Sequence, residues 1–274
     1  MKEPAPPIER GSWVSGWEED SAINDMKKIY YLWLRQIKKY LRSRARMIGT
    51  LAQPIIFLVM FGYGFGGALG NGGGNYLDYL APGIIGMSII FTAIFTGIEV
   101  IWDRQFGFLK ETLVAPMSRT DVMIGRTAGG ATVATIQGTI VLLISTFFGF
   151  QPVSWAAVVP AIFIMFLIAL IFSSIGTIIG SFLDDMQAFS LIMNFLVMPL
   201  FFLSGALFQL QGLPDWLTFV SRIDPLTYGV DALRVLLANI GHHDLGLGVD
   251  TLVLVGMALA FSLLGGYFFE KIQV

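Results

Sequence analysis

DRQFGFLKETLVAPMSRTDVMIGR, Asp103–Arg126, is a charged island in an apolar chain. Eight charged side chains lie in it or just before it: Glu99, Asp103, Arg104, Lys110, Glu111, Arg119, Asp121 and Arg126. The runs on either side, near 79–102 and 128–149, are long and apolar. A run of about 20 apolar residues crosses the ~30 Å hydrocarbon core of a bilayer as a helix, which satisfies its own backbone there. The segment therefore reads as a charged connection between two spans, presented to something outside the lipid.

The same block pattern recurs on both sides of it. The chain of 274 residues is 55% hydrophobic and 13% charged, with a mean hydropathy of +0.72. Soluble domains carry roughly a quarter charged residues. Spans are expected near 47–67, 79–102, 128–149, 156–182, 188–208 and 250–269, so that 47–274 forms one six-span transmembrane domain of an all-α polytopic membrane protein. The absence of cysteine excludes disulfides, thiolate metal sites and cysteine nucleophiles. No cleavable signal is expected, because no early apolar region precedes the first span.

Residues 1–21 mix proline, glycine and acids without periodicity and read as a flexible tail. Residues 22–46 read as an amphipathic interface helix. Met26, Tyr30, Trp33, Leu34, Ile37 and Leu41 share one stripe; Lys27, Lys28, Arg35, Lys38, Lys39, Arg42 and Arg46 fall on the opposite arc. Such a helix suits the surface of an anionic leaflet, so membrane lipid is an expected partner. Of the 17 Lys and Arg residues, all but Arg222 and Arg234 lie in the N-terminal region, the 103–126 segment or the C-terminal tail. The positive-inside rule then puts both termini and 103–126 in the cytoplasm of a cell-membrane protein. The loop at 183–187 is cytoplasmic by alternation although it carries Asp184 and Asp185 and no base. The outer stretch 209–249 holds two short apolar stripes, Leu213/Trp216/Leu217/Val220 and Leu226/Leu233/Val235/Leu236. Both are too short to span and are read as re-entrant or interfacial helices.

Several motifs are weighed and set aside. Gly62–Gly67 matches G-x-G-x-x-G but follows an apolar span instead of a strand, so close helix packing is the better account. No Gly-Lys pair exists, so the chain has no P-loop of its own. His242-His243-Asp244 reads as a polar turn, not a metal site. Gly125-x-x-x-Gly129 and Gly176-x-x-x-Gly180 read as helix-packing pairs. Glu99 is the one ionisable residue expected inside a span. This sparsity argues against an ion-coupled carrier, and the lack of a histidine base within the spans argues against an intramembrane hydrolase. Catalytic, cofactor-binding and metal-binding residues are therefore expected to be absent, and nothing suggests nucleic acid.

Two segments carry a resemblance. Arg104-Gln105-Phe106-Gly107-Phe108-Leu109-Lys110-Glu111-Thr112-Leu113-Val114-Ala115-Pro116-Met117-Ser118-Arg119 gives a charged entry, then Leu-Val-x-Pro-x-Ser-Arg. Leu213-Pro214-Asp215-Trp216-Leu217 is followed by Asp224-Pro225-Leu226-Thr227-Tyr228-Gly229 and Ala232-Leu233-Arg234. Together they resemble the permease subunit of type-2 ABC exporters over nearly the whole chain, with Asp224 where Asn is usual. The resemblance implies a non-catalytic half-transporter. Two permeases, as a homodimer, would pair with two separate ABC ATP-binding subunits, in which ATP and Mg would be bound. Docking to those subunits would fall on Arg104, Phe106, Leu109, Lys110, Glu111, Leu113, Pro116 and Arg119, with Phe106/Leu109/Leu113 as the contact stripe. The interface helix, with Lys27, Lys28, Trp33, Arg35, Lys38, Lys39 and Arg42, would contact those subunits as well from the cytoplasmic side, and Trp216, Asp224, Pro225, Tyr228 and Arg234 would build the outer element. The cargo would be an amphiphile such as a drug, lipid or lipid-linked glycan. The alternatives are a polysaccharide exporter permease or an ATP-independent channel or carrier.

Overall fold

The computed structural model describes residues 13–69, 76–106, 118–208, 214–240 and 246–270, and among these there is no strand. Among the described residues ten α-helices follow in order: α1 Trp13–Arg42, α2 Arg44–Leu69, α3 Tyr76–Ile94, α4 Thr96–Gln105 and α5 Arg119–Phe147. After a short 3-10 turn at Trp155–Ala157 come α6 Val158–Phe182, α7 Met186–Leu203, α8 Asp215–Ile223, α9 Pro225–Ala238 and α10 Gly246–Glu270. Six stretches are long and apolar enough to cross a membrane: Arg44–Gly64, Tyr76–Gln105, Arg119–Phe147, Trp155–Phe182, Met186–Leu203 and Gly246–Phe269. They overlap the six expected spans, but the third begins at Arg119 instead of 128, within the segment read as a connection, and the fifth ends earlier, at Leu203.

Helix α6 is the centre of the bundle, packed against α3, α4, α5, α9 and α10. Backbones touch where glycines allow it. A Cβ on Gly97 would stand 2.0 Å from the Gly176 carbonyl oxygen, and one on Gly180 would stand 2.4 Å from the carbonyl oxygen of Gly97. The pair Gly176/Gly180 thus seats α4 on α6, as small residues do in membrane helices. At the same level the second span is interrupted. Phe95 leaves the α-helical pattern, with Ile98 N–H donating to Phe95 O at 3.2 Å and the Thr96 hydroxyl donating to Ala93 O at 2.7 Å. A local hydroxyl-to-carbonyl bond of this kind competes with the helix ladder. The apolar run read as one span is therefore two helices, α3 and α4.

The N-terminal helix differs from expectation in extent and in face. It begins at Trp13, so 13–21 are helical where an irregular tail was expected, and Ser43 divides it from α2. Its packed face is Ile29, Leu32, Trp33, Gln36 and Tyr40, set against α5. Gly125 and Gly129 admit it: Cβ atoms there would lie 2.9 Å from Leu32 Cβ and 2.8 Å from Gln36 Cβ. Trp33 Nε1 donates to Thr132 Oγ1 at 2.9 Å, and the Tyr40 hydroxyl donates to Gln137 Oε1. Only Trp33 belongs to the stripe expected from periodicity; Met26, Tyr30 and Leu41 of that stripe are exposed. The helix has three arcs, one on α5, one apolar and uncovered, one basic, because aromatic and amide side chains pack as well as aliphatic ones and blur a two-face pattern.

Of the two short helices between the fifth and sixth spanning stretches, α9 is buried among α3, α6 and α10. Helix α8 keeps Trp216, Phe219 and Ile223 exposed and lies at the surface. Gly62–Gly64 sit inside α2 with no strand before them, and a Cβ on Gly62 would meet Leu77 Cδ2 at 2.4 Å, a packing role.

Candidate coupling site

Helix α4, ten residues at the root of the 103–126 segment, binds four neighbouring elements through Glu99, Asp103, Arg104 and Gln105. Glu99 is buried and accepts from Arg46 Nη1 of α2 at 2.5 Å; Lys39 Nζ of α1 lies 3.4 Å from the same oxygen. Asp103 accepts from Arg126 Nη2 of α5, with both side chains largely buried. Arg104 pairs with Asp184 in the α6–α7 connection and donates to Ser181 O at 2.7 Å. Gln105 Nε2 donates to Asp184 O at 2.7 Å. The i, i+4 spacing of Glu99 and Asp103 puts both acids on one side of the helix, while Arg104 and Gln105 turn toward the loop.

The α6–α7 connection, with two acids and no base, fits the charge-based orientation least well. Both acids have structural roles. Asp184 meets Arg104, and Asp185 caps α7 by accepting from Gln187 N–H at 3.0 Å and Ala188 N–H at 3.2 Å. On the far side of the charged segment, Ser118 and Asp121 form a capping box: Asp121 N–H donates to Ser118 Oγ at 3.0 Å, and Ser118 N–H to Asp121 Oδ2 at 3.2 Å. That box fixes where α5 begins, immediately before Arg119.

Of the expected docking residues, Arg104 is held at the loop, Phe106 is exposed and Arg119 is half-buried at the first turn of α5. Leu109, Lys110, Glu111, Leu113 and Pro116 lie outside the described residues, as do His242, His243 and Asp244. Among the interface-helix residues, Lys39 joins the Glu99 cluster, Trp33 packs on α5, and Lys27, Arg35, Lys38 and Arg42 are exposed.

At the opposite end, the outer element gathers Arg234 and Asp224. Arg234 is only 3% exposed. It donates from Nε to Tyr79 O at 3.1 Å and from Nη2 to Gly205 O at 2.7 Å and Ala206 O at 3.0 Å. Its guanidinium also stacks 3.7 Å from the Tyr79 ring centre. Asp224 caps α9, accepting from Leu226 N–H at 2.9 Å, while its Oδ2 is buried without a partner. Burial pushes this carboxyl, which lies outside the six spans, up to about 7. Tyr228 donates to Arg222 O at 2.8 Å, Pro225 is buried and Trp216 is exposed.

The expectation that Glu99 is the one ionisable residue inside a span is thus corrected, since Asp103, Arg126 and Asp250 lie within the spanning stretches. Asp103, Arg126, Asp224, Asp231, Arg234 and Asp250 are buried as well. Asp103 and Arg126 lie just beyond the expected spans 79–102 and 128–149, and Asp250, the first residue of the expected span 250–269, belongs in that count. Asp224, Asp231 and Arg234 lie outside the spans, before or on α9. Buried charge therefore no longer speaks against an ion-coupled carrier, and the class must be decided by relatedness.

The sequence profile of the "ABC-2 type transporter" family matches residues 27–238. The chain is similar to the putative transport permease ycf38 of Cyanophora paradoxa, 26% identical over 273 residues and covering 93% of each chain. It is 29% identical over 240 residues to the inner membrane transport permease YadH of Escherichia coli (strain K12), covering 85% of this chain and 91% of the relative. It is 27% identical over 226 residues to nodulation protein J of Rhizobium leguminosarum bv. viciae, covering 81% of each.

Proposed function

Because the chain belongs to the ABC-2 type transporter family, we propose that it is the membrane half of an exporter driven by a separate ATP-binding subunit, moving an amphiphile outward. Its own sequence has no P-loop, so ATP and its magnesium ion sit in the partner. The observation that carries this reading is the α4 hub. A push on the 103–126 segment reaches Asp103, Arg104 and Gln105 first, and these are tied to α5 and to the α6–α7 connection. Glu99 carries the same displacement to α1 and α2. The interruption at Phe95 lets α4 tilt without dragging the whole of α3.

Orientation with both termini in the cytoplasm is supported by the cations. Lys39, Arg46, Arg104 and Arg126 all gather at the α4 end of the bundle. A second copy of the chain completes the transporter. In support, α7 leaves Leu191, Phe195 and Phe202 exposed and exposes Asn194 midway along a span. An amide facing hydrocarbon is unfavourable, whereas a partner helix or a cargo path gives it hydrogen-bonding groups.

The test is co-purification of the full chain with an ATP-binding subunit from the same source. Leu113→Asp or Arg119→Glu is expected to abolish it while leaving the permease inserted and folded. Normal assembly in both variants overturns the docking reading. Cargo flux through proteoliposomes containing this chain alone, without ATP, would instead establish a channel or carrier.

A further inference from the structure

The face of α5 that receives α1 continues beyond it. Gly125, Gly129, Thr132, Ile136 and Thr139 follow one another at four- and three-residue spacing, so they share one side of the helix. Helix α1 covers the lower part of that side. Cβ atoms at Gly125 and Gly129 would meet Leu32 and Gln36, and Trp33 Nε1 donates to Thr132 Oγ1 at 2.9 Å. From there α1 turns aside, and its Tyr40 hydroxyl donates to Gln137, on the adjoining side of α5. Ile136 and Thr139 are left half-buried. Between them and α6 lies a groove of about 560 Å³, walled on the α6 side by Ile162, Phe163 and Phe166.

The chemistry of the groove selects its occupant. Thr132, Thr135 and Thr139 are its polar residues. Each hydroxyl is turned back on its own helix, donating at 2.8 Å to Ala128 O, Ala131 O and Thr135 O respectively. Back-bonding of this kind uses up the donor, so the groove presents methyl, aliphatic and ring surface and offers no hydrogen-bond donor. Carbonyls of a polar occupant would go unpaired in it.

Its position is equally specific. Both walls belong to spanning stretches, Arg119–Phe147 and Trp155–Phe182. The groove starts at Thr132, near the midpoint of α5. From Thr132 to Ile140 it rises about 12 Å at 1.5 Å per residue, which is most of one leaflet of a ~30 Å hydrocarbon core. Beyond its far end stands Trp155, 64% exposed at the start of the α6 stretch, a side chain that favours the level of the headgroups. Bounded by α1 near the middle of the span and open toward an interfacial tryptophan, the groove has the direction and length of a single acyl chain.

We propose that the groove seats one acyl chain of a phospholipid from the leaflet remote from α4, with its methyl end against Thr132 and its carbonyl end toward Trp155. The chain takes over the side of α5 that α1 leaves, and fills the crease between α5 and α6. The site depends neither on the exporter reading nor on which way the protein is inserted.

The test uses the full-length chain in phosphatidylcholine vesicles with a trace of phosphatidylcholine bearing a diazirine, either at the tip of one acyl chain or next to its carbonyl. After illumination the cross-linked residues are mapped. The tip probe is expected to mark Thr132, Ile136 and Phe166, and the carbonyl probe Val159 and Ile162. Each mark should stand severalfold above those on Leu252 and Leu259, exposed apolar residues of α10. Thr139→Trp fills the groove and brings both sets of marks down to the α10 level. Wild-type marks no stronger than those on α10 mean an annular chain only and overturn the site, as does tip label at Val159 with carbonyl label at Thr132. Marks undiminished by Thr139→Trp overturn it too. Because the chain has no cysteine, Ile136→Cys adds a single one, and on oxidation in the same vesicles it is expected to form no disulfide between chains. A disulfide-linked dimer would give this face to a second copy and overturn the lipid site.

Discussion

At the α4 end of the bundle, Glu99, Asp103 and Arg104 each meet a side chain of opposite charge from another element. At the other end, Arg234 on α9 meets backbone carbonyls of Tyr79, Gly205 and Ala206. The two arrangements bury charge with different consequences. A pair of side chains is held by rotatable arms and can exchange partners when helices shift. Carbonyls at helix ends are fixed by the fold, so an arginine that gathers them locks α3, α9 and the end of α7 as one piece. The first design suits an end whose helices shift against one another; the second suits an end held as one piece.

The largest expected effects come from breaking one lock at each end. Arg126→Met strands the Asp103 carboxylate in a buried site, at a cost of about 3–5 kcal/mol, or on the order of 10 °C in the unfolding midpoint. Asp103→Asn added to it removes the stranded charge and recovers most of the loss. Arg234→Met removes the donor to Tyr79 O, Gly205 O and Ala206 O, of which Gly205 O keeps the Tyr79 hydroxyl. It costs a similar amount, but no second substitution removes the carbonyls left behind. Midpoints of the two single variants and of the Asp103→Asn/Arg126→Met double variant decide this. A double variant no better than Arg126→Met alone would remove the distinction between exchangeable and fixed partners.

How far the sequence anticipates this contrast depends on which physical signal each residue emits. Spans are legible because hydrocarbon demands about 20 apolar residues in a row, and six such blocks stand out. The charged segment between two of them is legible for the same reason. What charge patterns cannot show is pairing across distance: Arg46 with Glu99, or Arg104 with Asp184, separated by 53 and 80 residues. The face of α1 that meets α5 is hidden from periodicity because Gln36 and Tyr40 look polar in sequence, yet fill the space left by Gly125 and Gly129. Arg234 carries a signal that charge counting passes over, a lone arginine in an apolar stretch following Pro225, where burial requires acceptors close by.

A middle-sized effect, with opposite sign, belongs to Asp224. Its folded carboxyl titrates near 7 against an ordinary 3.8. Between about pH 4 and 7 the unfolded chain therefore releases a proton that the folded chain keeps, and stability falls as pH rises through that window, then levels off. Asp224→Asn keeps the cap on Leu226 and removes the titration. The variant should unfold like wild type near pH 4. At pH 8 it should be more stable by about 2–4 kcal/mol, since a tenfold change in proton affinity corresponds to about 1.4 kcal/mol. Parallel pH profiles for the two proteins would show that Asp224 does not carry the buried proton. Because Asp224 stands at the fixed end, this pH response should leave pairing at the α4 end unaltered.

The smallest stability effect marks the place where the coupling reading is most exposed. Asp184 is 85% exposed at its side chain, so its pair with Arg104 is screened by water and salt and contributes about 0–1 kcal/mol. Asp184→Asn should leave the unfolding midpoint within a degree or two of wild type. Yet Asp184 is where α4 grips the connection between α6, the central helix, and α7. If motion of the 103–126 segment travels by that grip, the variant retains the ATP-binding subunit and its ATP hydrolysis while cargo flux per ATP falls severalfold. Flux per ATP equal to wild type would mean that α4 acts through Asp103 and Glu99 alone, and that the Arg104 contact only orders the loop. A weak bond is then informative for a physical reason: a link that contributes little to folding is one that can open and close within a transport cycle.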